Sequence, residues 1–126
     1  MILSLMFIFI VKHFIVDFLM QGPYEYINKG IYGHPGGILH AWSHAITTWS
    51  LLFGLYQMDM PVAVLYAVLE FVIHYHIDWA KIQINTKYKL TPITSERYWH
   101  LLGLDQCLHY LTYWIMIVSI SNEWIK

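Results

Sequence analysis

A chain of 126 residues makes one domain, and its composition is not that of a soluble one: 58% is hydrophobic, 17% aromatic and only 12% charged, about half the usual charged share. A formal net charge of −1 gives no electrostatic reason to expect nucleic acid as a partner. The single Cys107 excludes an internal disulfide framework and a cysteine-rich zinc site.

In chain order, the apolar opening predicts a first membrane-spanning helix over residues 2–20. It does not read as a secretion signal. No basic residue precedes the run, no small-x-small cleavage site follows it, and Lys12, His13 and Asp17 interrupt it. Gln21-Gly22-Pro23 closes this span, and a loop rich in glycine and tyrosine runs to Gly37. A second span is predicted over residues 38–56, opened by Gly36-Gly37. Met58-Asp59-Met60 leaves room only for a tight turn. A third span follows over 61–80, with Pro61 in the first turn, where proline is tolerated. After a basic, polar connection from Lys81 to Tyr98, a fourth span is predicted over 99–120. Each stretch reaches the ~20 residues that a bilayer demands of a helix. The predicted fold class is therefore all-α, a four-span antiparallel transmembrane helix bundle in one integral membrane domain over residues 1–126.

In that topology the two longer connections share one side, and the termini share the other with the tight turn. Lys29, Lys81, Lys87, Lys89 and Arg97 stand on the first side and only Lys126 on the second. The positive-inside rule then places the loops in the cytoplasm and both termini outside. Tyr24, Tyr26, Trp79, Tyr98, Trp99 and Trp124 lie near span ends and read as an interfacial belt.

Ionisable groups inside a membrane are costly, so each needs a reason. Here every span carries one i,i+4 pair: His13 with Asp17, His40 with His44, His74 with Asp78, and Asp105 with His109. That spacing puts both side chains on one helix face. Counted inward from the loop end, Asp17, His40, Asp78 and Asp105 share one depth and His13, His44, His74 and His109 a deeper one, in two layers about 6 Å apart. Antiparallel helices must reverse the order within successive pairs, and the sequence does so. Lone intramembrane His or Asp residues often serve only as interhelical hydrogen-bond partners. Four aligned pairs point instead to one metal site of either one or two ions. Glu70, one turn from His74, and Lys12 are expected to form an ion pair, with a third polar layer as the alternative. Gln21 and Gln106 flank the layers and can orient ligands or substrate. His76 lies off the ligand face, and His34 and His100 fall in loop or interface.

The segments KHFIVDFLMQ, ILHAWSHA, EFVIHYHIDWAK and LDQCLHYLTY resemble the family of small bacterial and phage membrane proteins known as domain of unknown function 3307. The likeness runs over most of the chain. It implies a bacterial inner (cytoplasmic) membrane setting and the importance of the polar residues, and it implies no particular reaction. More distantly, the His and Asp pairs resemble those of membrane-bound metal-dependent hydrolases and ceramidase-like proteins. The His-Glu-x-x-His motif of zinc proteases is absent.

The expected function is a metal-dependent, membrane-embedded hydrolase acting from the cytoplasmic side on a lipid or lipid-linked substrate. Its ligands are drawn from His13, Asp17, His40, His44, His74, Asp78, Asp105 and His109. The metal is one or two divalent ions, with zinc first and iron or manganese as alternatives. Asp17, Asp78 and Asp105 are the catalytic candidates, as ligands or as general bases. The expected partner is membrane lipid, with self-association into a homo-oligomer left open. A metal-ion or proton transporter, a haem protein and a phage accessory membrane protein with a structural metal are the rivals. The nearly apolar outer half disfavours a transport path, and the aspartates are left unexplained by haem.

Overall fold

The computed structural model describes residues 2–124. All regular elements among them are helical. Helix α1 (Ile2–Phe14) continues into a π-helical segment, Ile15–Met20. Helix α2 (Pro23–Asn28) is short. Helix α3 (Pro35–Trp49) also runs on in π-helical winding, Ser50–Leu55, and is followed by α4 (Met60–Lys87) and α5 (Glu96–Trp124). Lys126 lies outside the described residues, as does the side chain of Trp124.

Three helices are long and apolar enough to cross a membrane: Ile2–Met20, Met60–Lys87 and Glu96–Asn122. The last two extend beyond the predicted spans, which ended at the polar residues flanking the apolar run. The predicted second span is helical but is not among the three. That stretch carries His40, Ser43, His44, Thr47, Thr48 and Ser50.

Two further corrections bear on the site. The expected loop up to Gly37 contains α2 and the first turn of α3. Pro23 at the first position of α2 and the Glu25 carboxylate, which accepts from the Gly22 N–H at 2.8 Å, together start a helix within that short segment. Lys81, expected in a loop, lies inside α4.

Side-chain contacts show that neighbouring helices run in opposite directions. Between α1 and α5, Phe9 meets Tyr113 while His13 meets His109. Between α1 and α3, Lys12 meets Thr48 while Asp17 meets His40. Between α3 and α4, Thr48 meets Glu70 while His40 meets Asp78. Between α4 and α5, Asp78 meets His109 while Lys81 meets Asp105. The interior therefore divides along its length. At the end of the tight turn, Leu5, Phe9, Leu52, Met116, Ile117 and Ile120 form an apolar core, and at the loop end the buried groups are polar. Outward faces carry Leu3, Phe7, Phe18, Leu65, Val68 and Ile115, all largely exposed. An apolar exterior around a polar interior inverts the usual arrangement in water.

Helix α2 is held close by two glycines of α3. A Cβ at Gly36 would stand 2.6 Å from the Tyr24 carbonyl oxygen, and one at Gly37 would stand 3.1 Å from Lys29 Cα. Their absence lets α2 seat against α3, which brings Lys29 over the end of α4.

The boundary between polar and apolar halves is the expected pair of Lys12 and Glu70. The two side chains are in direct contact and buried, and Lys12 Nζ also donates to Thr48 Oγ1 at 2.8 Å. Tyr113 Oη donates to Glu70 Oε1 at 2.8 Å. Ion pair and third polar layer, posed as alternatives, are one arrangement. Removing one charge leaves the other buried and unpaired, which costs about 3–5 kcal/mol. Lys12→Met or Glu70→Leu alone should lower the unfolding temperature in detergent sharply, and the double variant should regain most of the loss. Additive losses would show that the two charges do not compensate each other.

Candidate metal centre

The π-helical end of α1 carries Asp17 into the space between α3 and α4. Rare π-helical segments recur at functional sites. Around the carboxylate gather imidazoles from two neighbouring helices. His44 Nε2 lies 2.9 Å from Asp17 Oδ1, His40 Nε2 lies 3.1 Å and His74 Nε2 lies 3.6 Å from the same oxygen. The Nε2 atoms of His40 and His74 are 3.2 Å apart. These four donor atoms all fall within 4.8 Å of one another. In a tetrahedral site with metal–ligand bonds of about 2.0–2.1 Å, neighbouring ligand atoms stand roughly 3.3 Å apart. Four of the six pairwise separations, from 2.9 to 3.6 Å, bracket that value, the other two fall within 4.8 Å, and the residue types suit zinc, iron or manganese. Asp17, His40, His44 and His74 therefore fit a divalent metal ion.

His13 has both ring nitrogens engaged. Nε2 is 3.2 Å from Asp17 Oδ2 and 3.2 Å from Gln106 Oε1, while Nδ1 is 3.0 Å from Tyr113 Oη. Gln21 reaches His40 Nδ1 at 2.8 Å. Both flanking glutamines thus touch the histidines they were expected to orient.

A second group adjoins the first. Asp78 Oδ1 and Asp105 Oδ1 each lie 3.6 Å from His109 Nε2, and all three atoms are buried without a hydrogen-bond partner. Their sister oxygens are engaged: Lys29 Nζ donates to Asp78 Oδ2 at 2.8 Å and Lys81 Nζ to Asp105 Oδ2 at 2.9 Å. Asp78 Oδ2 also lies 3.2 Å from His40 Nε2, so this carboxylate faces both groups.

All eight sequence-predicted ligands thus meet in one cluster, with side chains 6% exposed or less. The two expected layers merge at Asp17, which touches His40 and His44 although these lie a turn apart. His34 caps α3, its Nδ1 accepting from the Gly36 N–H at 3.0 Å. His76 is exposed and bonded to the Val72 carbonyl oxygen and the Tyr32 hydroxyl. Sequence reasoning missed Lys29 and Lys81 as members of the site. Lys81 had a signal, since it stands three residues after Asp78 on one helix; Lys29 had none, because nothing in the glycine- and tyrosine-rich stretch announced α2.

Charge accounting separates the two groups. The buried cluster holds four carboxylates (Asp17, Glu70, Asp78, Asp105) and three lysines (Lys12, Lys29, Lys81). Glu70, Asp78 and Asp105 each have a lysine partner. Among the described residues Asp17 has no lysine or arginine within ion-pair distance, only imidazoles. Charge neutrality in a low-dielectric interior calls for one more cation here, a metal ion or a proton on an imidazole.

The chain matches the family described as a protein of unknown function, DUF3307, over residues 5–125. The chain belongs to that family. No curated protein and no solved structure matches.

An ion held by three helices stabilises the folded state by mass action, by about 2.7 kcal/mol at a hundredfold excess over its dissociation constant. Chelation should therefore lower the unfolding temperature, and zinc should restore it. Elemental analysis should find metal in the wild type, strongly reduced in His44→Ala and His74→Ala and unchanged in His34→Ala. Protein free of metal and indifferent to chelator would leave an imidazolium proton as the compensating charge.

Proposed function

We propose that this chain crosses a bacterial inner membrane four times as an antiparallel bundle and acts as a metal-dependent hydrolase on a lipid or lipid-linked ester, amide or phosphoester. The observation that carries the reading is the convergence of three imidazole nitrogens on the one interior carboxylate that no lysine neutralises. Asp17, His40, His44 and His74 hold the ion, zinc first. When bound, a divalent ion lowers the pKa of a coordinated water towards neutrality and polarises the bond to be cut.

The remaining residues take roles their contacts support. Asp78, its Oδ2 steadied by Lys29 and 3.2 Å from His40 Nε2, would serve as the general base for a water activated by the ion, through Oδ1, which has no hydrogen-bond partner. Asp105 and His109, with Oδ1 and Nε2 unpartnered, pass a proton to the leaving group. His13 positions Asp17 in this scheme, its Nε2 lying 3.2 Å from Asp17 Oδ2. A pocket of about 220 Å³, lined by Gln21, Glu25, His40 and Ser43 together with Val16, Met20 and Leu39, borders His40 and gives the substrate its approach.

A transporter would need polar groups continuing through the bundle. The polar series stops at Lys12, Glu70 and Tyr113, and the apolar core beyond supports a blind site. For orientation, Lys29 and Lys81 are engaged with aspartates, so the cytoplasmic placement of the loops rests on Lys87, Lys89 and Arg97, which are exposed. Reporter tags at residues 1 and 126 should lie outside and one near Lys87 in the cytoplasm. Cytoplasmic termini would reverse the orientation and leave the site intact.

The reaction is tested with zinc-loaded protein in vesicles of total bacterial polar lipid, using mass spectrometry to detect hydrolysed lipid. Wild type should form product and His44→Ala should not. Asp78→Asn should keep its metal while losing at least about a hundredfold in rate, the scale of a general base. Full metal occupancy without product from any lipid would remove the hydrolase and leave the metal centre standing.

A further inference from the structure

Besides the ligand cluster, the molecule has two long grooves on its outward surface. One, of about 460 Å³, lies between α4 and α5, with the ion pair of Lys81 and Asp105 across its floor at 2.9 Å. The other, of about 410 Å³, lies between α1 and α3 and is walled mainly by Phe7, Val11, Ile15, Val16 and Leu51, with Lys12, Thr47 and Ser50 also in its lining. Only the second groove shares lining residues with the pocket at His40: Val16 and Met20 line both.

We propose that the seam between α1 and α3 holds the hydrocarbon chain of a membrane lipid and presents its polar head to His40. This rests on the hydrolase reading and names how its substrate is bound. The seam has the polarity profile of an amphiphile. Its long part is mainly apolar over two helical faces that also carry exposed Phe7, Val11, Ile15 and Met20, so it faces lipid when the bundle is in a bilayer. Its short part, beyond Met20, is walled by Gln21, Glu25, His40 and Ser43. A chain-bearing molecule lying along α1 therefore places its first polar linkage beside the ligand set without leaving the membrane. The groove between α4 and α5 lacks this continuity, because it shares no lining residue with the pocket at His40. Both seam volumes fall at or below the usual range for small-molecule sites, as expected for one chain and one small head.

The probe is a total bacterial polar lipid extract. Detergent-purified, metal-loaded protein is incubated with its vesicles, re-isolated and weighed by native mass spectrometry. Met20→Trp and Ile15→Trp narrow the seam at two exposed positions outside the ligand cluster; Ile73→Trp fills the other groove as a control. The wild type and Ile73→Trp should retain one lipid per chain, and both seam variants should retain roughly tenfold less, equivalent to about 1.4 kcal/mol. Metal content should be equal in all four proteins. Because retention needs no turnover, a hydrolase that fails the activity test can still pass this one. Undiminished retention in both seam variants, loss in Ile73→Trp, or no lipid on the wild type would each overturn the assignment while leaving the metal centre untouched.

Discussion

A carboxylate buried in a membrane protein must be compensated from within, and Asp17 is the point at which this chain runs out of lysines. Desolvating a single ion costs several kcal/mol even after relaxation, so the three lysine-paired carboxylates dictate where lysines must come from. Lys12 arrives from α1, Lys81 from the far part of α4, and Lys29 from the end of α2. The last requirement accounts for the short helix α2. Helix α2 lies against the glycine pair of α3 at a distance that larger residues would forbid, and that approach sets Lys29 on Asp78. With those three pairs made, the four helices can close around a polar core, and the remaining negative charge fixes the sign and place of the missing partner.

The division of the interior into two halves follows from the same constraint. Polar groups are tolerable only where they can satisfy one another, so they are concentrated in consecutive turns at one end, while the other end is mainly apolar. Tyr113 marks the boundary on α5: its ring packs on Phe9, in the apolar core, while its hydroxyl bonds Glu70 and reaches His13. A site closed at one end and approached from the other is suited to a reaction and not to passage. On the proposed hydrolase reading the substrate would come from the bilayer or from the loop side, and the exposed apolar surface of α1 and α3 favours the bilayer.

Much of this was legible because the helical period is rigid. His40, His44 and Thr48 on α3, Glu70, His74 and Asp78 on α4, and Asp105, His109 and Tyr113 on α5 each continue at intervals of four, and each series ends up inside. Extending the paired pattern by one further step would have found Thr48 and Tyr113. Lys12 and Glu70 were expected to meet from depth alone, and they do. What depth could not give was lateral position: which lysine leans on which aspartate depends on α2 and on the last turns of α4, where local capping by Pro23 and Glu25 outweighed the appearance of a loop. Nor does a count of residues show that α1 and α3 finish in π-helical winding, and with it the shift that lets Asp17 contact imidazoles from two turns of α3.

Interhelical hydrogen bonding is the plainest rival to metal ligation, and the distribution of partners speaks against it. In a network built only of hydrogen bonds, imidazole N–H groups spread over the available acceptors, because an unpaired buried acceptor costs more than a shared one gains. Here His44 Nε2 lies 2.9 Å from Asp17 Oδ1, while His40 Nε2 and His74 Nε2 are shared between Asp17 Oδ1, at 3.1 and 3.6 Å, and Asp78 Oδ2, at 3.2 and 3.5 Å; Asp78 Oδ1 and Asp105 Oδ1 are buried close by without a hydrogen-bond partner. His40 and His74 even turn the same ring atom towards each other at 3.2 Å. On the proposed reading, a cation held among these donors would relieve both their crowding and the uncompensated charge of Asp17.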